Sequence, residues 1–126
     1  MSNQSIAAAK QVIQNHILAL NARDEKALLQ TMHFPHHRLS GTKLNTWETG
    51  AAYFTDFKSR AGGNWDHSTA DDIQVVAHAP NKVHLDIQIT RYAKGGEILS
   101  QFRSLWIFTN VDGHWAAAFR SSFAGD

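Results

Sequence analysis

The sequence predicts one α+β domain, with three N-terminal helices packed on one face of a strongly curved antiparallel sheet. Three observations carry this. Apolar residues recur at helical spacing through the first half of the chain, and they alternate at strand spacing through much of the second half. Short turn signals at Pro80-Asn81, Lys94-Gly95-Gly96 and Asp112-Gly113 divide that second half into four strands. A length of 126 residues is enough to bury one core and too little for two, so residues 1–126 are read as a single domain.

The first helix is capped by Ser5 and carries Ile6, Ala9, Val12, Ile13, Ile17 and Leu20 on one side, ending at Asn21-Ala22-Arg23. Asp24 caps a second, short helix with Ala27, Leu28 and Met32, which Pro35 stops by disfavouring helix in the residue before it. A short extended stretch spans Arg38 to Lys43. Asn45 and Glu48 then have capping-box spacing for a third helix that runs to about Arg60 and ends at Gly62-Gly63. Its apolar side holds Trp47, Ala51, Tyr53, Phe54 and Phe57. Trp65 to Ala79, Lys82 to Tyr92, Ile98 to Thr109 and His114 to Phe123 are the strands. Val83, Leu85, Ile87 and Ile89 alternate with His84, Asp86, Gln88 and Thr90, so the second of these strands has one apolar and one polar face. Long strands twist, so the sheet curves around the helices and leaves a cavity where their cover is incomplete.

Composition narrows the function classes. Lys and Arg number 12 against 11 Asp and Glu, and a net charge of +1 gives no electrostatic footprint for nucleic acid or an anionic membrane. Cysteine is absent, which removes disulfides, thiolate nucleophiles and Cys-containing zinc sites. The start Met1-Ser2-Asn3-Gln4-Ser5 lacks a signal-peptide pattern, and no apolar run approaches the roughly 20 residues of a membrane span, so a cytoplasmic protein is expected. His33, His36 and His37 form a cluster, but neighbours in an extended segment point to opposite faces and cannot all reach one ion. No metal and no cofactor is expected.

Ala19-Leu20-Asn21-Ala22-Arg23-Asp24 at the first helix junction, Phe34-Pro35-His36 entering the sheet, Gly113-His114-Trp115 and Arg120-Ser121-Ser122-Phe123 at the end carry a resemblance. In element order over nearly the whole chain, the sequence resembles the nuclear transport factor 2-like superfamily. This is the cone-shaped, cystatin-like fold shared by SnoaL-like cyclases and ketosteroid isomerase. The resemblance implies a fold and not a reaction, because the superfamily holds isomerases, cyclases, dehydratases and noncatalytic binding proteins. Carried over from Leu20-Asn21-Ala22, the isomerase's oxyanion tyrosine falls at His16, its base aspartate near Ser40 and its second oxyanion acid near Ser104 or Leu105. None of the three is kept.

The candidate site residues follow from chemistry and from this frame. His36 and His67, near element ends at the expected pocket mouth, are the candidates for acid–base catalysis, and replacing either is expected to leave the fold intact. His16, Phe34, Trp47, Tyr53, Trp65 and Trp106 are candidates to line an apolar cavity. Arg103 and Arg120 sit in strands rich in apolar and small residues, where arginine needs a partner or a ligand. A two-residue turn at Asp112-Gly113, or a four-residue loop, places Arg103 on Arg120's face, beside Ala116, Ala118 and Ser122, and the two-residue turn is favoured because Asp-Gly is a strong hairpin signal. A three-residue bulged loop places Ser104 and Trp106 there instead. The competing role for either arginine is a salt bridge to Asp86, Glu48 or Asp71.

The expected function is therefore a SnoaL-like small-molecule-binding protein. In its enzymatic form it transfers protons on a hydrophobic, oxygen-bearing substrate. The alternative is a noncatalytic dimerisation or protein-docking domain. A homodimer is expected to form through Leu99, Leu105 and Ile107, or through the opposite set Ile98, Phe102 and Trp106.

Overall fold

The computed structural model describes residues 2–61 and 64–124, and it has the predicted helices followed by a sheet. The elements are α1 (Ser2–Ala22), α2 (Glu25–Gln30), β1 (Met32–Ser40), β2 (Lys43–Trp47), α3 (Gly50–Ala61), β3 (Trp65–Ala79), β4 (Lys82–Ala93), β5 (Ile98–Val111) and β6 (His114–Ser122). The six strands form one sheet in the order β2-β1-β6-β5-β4-β3. All neighbours are antiparallel except β1 and β6, which run parallel, so the sheet is mixed and not purely antiparallel.

α1 buries Ala9, Val12, Ile13 and His16, the stripe its spacing predicts, with Ile17 packed beside it. It starts at Ser2 and not after Ser5, whose side chain is buried within the helix. Arg23, at φ 55°, breaks the helix in the left-handed region, and the Asp24 carboxylate accepts from Ala27 N at 3.1 Å to start α2. α2 ends at Gln30, well before Pro35, because Thr31 caps it and Met32 already enters β1. Asn45 lies in β2, paired with Arg38, and the N-terminal cap of α3 is Thr49, whose hydroxyl accepts from Ala52 N at 3.2 Å. The hairpin needs Asn45 as a strand residue, and this overrides its capping-box spacing. The side chain of Phe57 and the Gly62-Gly63 stop lie outside the described residues.

β4 turns Val83, Leu85, Ile87 and Ile89 inward against α1, Trp106, Phe108 and Ala117, which forms the first core. Each such fully buried aliphatic side chain contributes about 1.5–3 kcal/mol. A second core gathers Ala19, Leu28, Met32, Trp47, Tyr53 and Phe54 where α2 and α3 meet β1 and β2. Asn21 fastens α1 to β3: its amide donates to Ser68 O at 2.8 Å and its carbonyl accepts from Ser68 N at 2.8 Å. Among the described residues, no helix is long and apolar enough to cross a membrane.

Candidate functional site

Strand register decides which side chains share the inner face. Asn45, Arg38, Arg120 and Trp106 stand in one row across β2, β1, β6 and β5, and Lys43, Ser40, Ser122 and Ser104 stand in the next. Beyond Trp106 the inner face carries Phe108 and Ala117 and is filled as core. On the other side of that row the short serines leave space. A cavity of about 570 Å³ opens there, roofed by His16, Ile17 and Leu20 of α1 and by Tyr53 of α3.

The hairpin between β5 and β6 contains the expected two-residue turn, with Asp112 at φ 52° and Gly113 at φ 86°, as a tight type I′ connection requires. The register nevertheless shifts between Ile107 and Phe108. Phe119 pairs with Ile107 and Ala117 with Phe108, so Ala118 is the extra residue of a bulge. Arg120 therefore shares its face with Ser104, Trp106 and Ala117, not with Arg103, Ala116 and Ala118.

Arg103 is on the outer face of the sheet. Its Nε donates to Asp86 Oδ1 at 3.1 Å and its Nη1 to Asp72 Oδ2 at 3.0 Å, and these hydrogen bonds and charges raise its pKa. Arg103 thus takes the competing role, a salt bridge, and does not share a cavity with Arg120. Arg38 takes the second place, beside Arg120 in the register row.

Arg120 is held from three sides. Its Nε donates to His36 Nε2 at 3.1 Å, and its Cζ lies 4.9 Å from the centre of the Trp106 ring and 5.9 Å from that of Tyr53. His36 is fully buried, and its Nδ1–H donates to Ala117 O at 3.0 Å. Burial, and then the Arg120 charge, hold it neutral and push its pKa down to about 2. It lies behind the cavity wall and not at the mouth, a placement that makes it part of the interior. Burial and Arg120 likewise push His16 down to about 3.

Of the other candidates, Trp65 and Trp106 line the cavity together with His16, Tyr53 and Arg120. Trp47 and Phe34 do not. Trp47 is buried in the second core with its Nε1 donating to Asp56 Oδ2 at 2.8 Å, and Phe34 packs against that core. His67 stacks on Tyr92 at 4.7 Å and pairs with Asp66 at 2.8 Å, outside the cavity lining. The His33, His36 and His37 cluster is dispersed: His33 bonds Thr109 O, His36 bonds Ala117 O and His37 bonds Thr46 Oγ1. No group of three or more metal-ligating side chains is assembled among the described residues.

Sequence reasoning missed Arg38, Lys43 and Arg91, which line the cavity with Arg120. The signal for the first two lay in a β1–β2 hairpin that the periodicity of so short a segment does not reveal. Four cationic side chains thus share the lining with five serines and several rings, and no carboxylate is among the described lining residues. Chemically, this is a concavity of mixed lining, in which rings and aliphatic side chains face serines and cationic groups.

No protein-family model matches the sequence, and no curated protein matches it. Solved structures do match its fold. A cystatin-like protein of unknown function from Nostoc punctiforme superposes with a TM-score of 0.76 at 8% identity, covering 92% of this chain and 87% of its own. A candidate aromatic ring hydroxylase from Novosphingobium aromaticivorans gives 0.75 at 13% identity, over 97% and 90% of the two chains. A candidate ketosteroid isomerase from Shewanella frigidimarina gives 0.70 at 15% identity, over 91% and 94%. The chain therefore has the NTF2-like, cystatin-like fold that its sequence resembles.

Proposed function

We propose that this protein binds a small organic anion with a hydrophobic body, holding the anionic oxygens against Arg120 and the body against Trp65, Trp106, Phe102 and Ile89. The observation that carries this reading is the lining: Arg38, Lys43, Arg91 and Arg120 with no carboxylate among its described residues. A planar guanidinium backed by rings, as Arg120 is by Trp106 and Tyr53, is suited to a carboxylate. The cavity supports the reading, since small molecules bind in concave pockets that combine apolar walls with a few placed polar groups.

Binding is favoured over proton transfer. A general acid or base works best with a pKa near the operating pH, and His16 and His36 are both held far below it. His67, the other catalytic candidate, is outside the cavity lining.

Dimerisation stands beside this reading and does not compete with it. On the outer face Leu105, Ile107 and Phe119 are half-buried neighbours, with Leu39 across Ser121 from Leu105, an apolar patch suited to a second copy. Thermal shift with matched pairs of aromatic carboxylates and their carboxamides tests the binding reading. A carboxylate at a hundredfold excess over its Kd should stabilise by about 2.7 kcal/mol, several degrees in Tm, and its carboxamide much less. Equal shifts across the pairs would overturn it.

A further inference from the structure

His16 lies on the buried stripe of α1, with its Nδ1 2.8 Å from Thr31 Oγ1. That hydroxyl is itself 2.6 Å from Leu28 O, a group that can only accept, so its single hydrogen is committed there. Thr31 is left with lone pairs for His16, and the imidazole must carry its proton on Nδ1. The lock is built into the end of α2, where Leu28 O also accepts the Thr31 N–H at 3.1 Å. Nε2 is then a lone-pair acceptor, and it makes no hydrogen bond among the described residues.

Four of the side chains that line the cavity with this acceptor are obligate donors. Arg38, Lys43, Arg91 and Arg120 only donate, and the serines can do either. Among the described lining side chains, His16 is the only ring nitrogen whose polarity is fixed as acceptor. His16 and Arg120 also converge on one indole: the imidazole meets Trp106 edge-on at 5.0 Å between centroids, and the Arg120 guanidinium carbon is 4.9 Å from the centre of the same ring. One small molecule can touch both.

Resting on the anion-binding reading above, we propose that His16 is a specificity-determining residue that accepts a hydrogen bond from a hydroxyl on the bound anion, so the ligand class is hydroxyl-bearing organic carboxylates. The ligand then carries its acid group to Arg120 and its hydroxyl to His16 Nε2. Burial keeps the ring neutral, and hence an acceptor, throughout the neutral pH range. Thr31 acts through His16 as a positioning residue.

Calorimetric titration of the full chain with naphthoate, naphthamide and the hydroxynaphthoate isomers tests this. At least one hydroxynaphthoate should bind roughly three- to tenfold more tightly than naphthoate, the gain from one added hydrogen bond. In His16→Phe that advantage should vanish, so that the hydroxynaphthoate and naphthoate bind with about equal affinity, a change in selectivity that a merely structural role would not produce. Thr31→Val frees the proton to move to Nε2 and should erase the same advantage, so it serves if His16→Phe does not fold. A hydroxyl preference that survives both substitutions, or the lack of any preference in the wild type, overturns the inference and leaves the anion site standing. Failure of naphthoate to bind more tightly than naphthamide removes both.

Discussion

Acidification from pH 6.5 to 4.5 should destabilise the fold steeply, because two buried imidazoles are kept neutral. His36 is pushed down to about 2 and His16 to about 3, in each case first by burial and then by the Arg120 charge. Their folded pKa values lie below the unfolded value near 6.5, so the stability they confer is present above that pH. As pH falls through it, the unfolded chain takes up a proton at each site and the native state does not. Each such proton changes stability by about 1.4 kcal/mol per pH unit, and two give about 2.7 once the unfolded histidines are protonated. Integrated from pH 6.5 to 4.5, the loss is about 4–5 kcal/mol, comparable to the whole stability of a modest domain. The half-buried His84 is shifted in the same direction, first by burial and then by Lys82. Urea unfolding at half-unit steps of pH measures this directly, and His16→Phe should roughly halve the slope between about pH 6 and 5, where few carboxylates titrate. A change under about 1 kcal/mol across the interval would refute the neutral-histidine reasoning.

Three further outcomes follow from the geometry. His36→Ala should cost about 3–5 kcal/mol in the same assay, since it opens a void and strands Ala117 O and Arg120 Nε, and a cost below about 1 kcal/mol would return His36 to the pocket rim. Asp86→Asn should leave the urea midpoint nearly unchanged, because Arg103 is partly exposed and keeps Asp72, and it should leave ligand affinity unchanged by calorimetry. Light scattering at micromolar concentration should give the mass of two chains, reduced to one by Ile107→Lys, and a monomeric wild type would remove the outer-face interface.

Much of the fold was legible because long segments carry strong periodicity. The starts of β3, β4, β5 and β6 fall where the turn signals put them, and the inward set of β4 is the one its alternation marks. What was hidden depends on pairing across the sheet. Asn45 has the spacing of a helix cap, yet its bond to Arg38 across the β1–β2 hairpin decides its state. A single bulge at Ala118 puts Arg103 on the outer face and Trp106 beside Arg120, although the Asp112-Gly113 turn is the one the sequence predicts. A bulge leaves no periodic trace in so short a strand. His36 looked like a rim residue because it follows a proline, and only the neighbouring Trp47, Tyr53 and Phe34 rings reveal that it is enclosed. His16 fits the apolar stripe of α1 by spacing, which is why the helix and the resemblance both point to it.

The anion-binding claim is tested most directly by isothermal titration of naphthoate and naphthamide into the wild type and Arg120→Met. The account predicts that naphthoate binds the wild type more tightly than naphthamide and loses roughly ten- to a hundredfold in affinity in Arg120→Met, about 1.4–2.8 kcal/mol, while naphthamide changes little. Equal affinity of naphthoate for both proteins would contradict it.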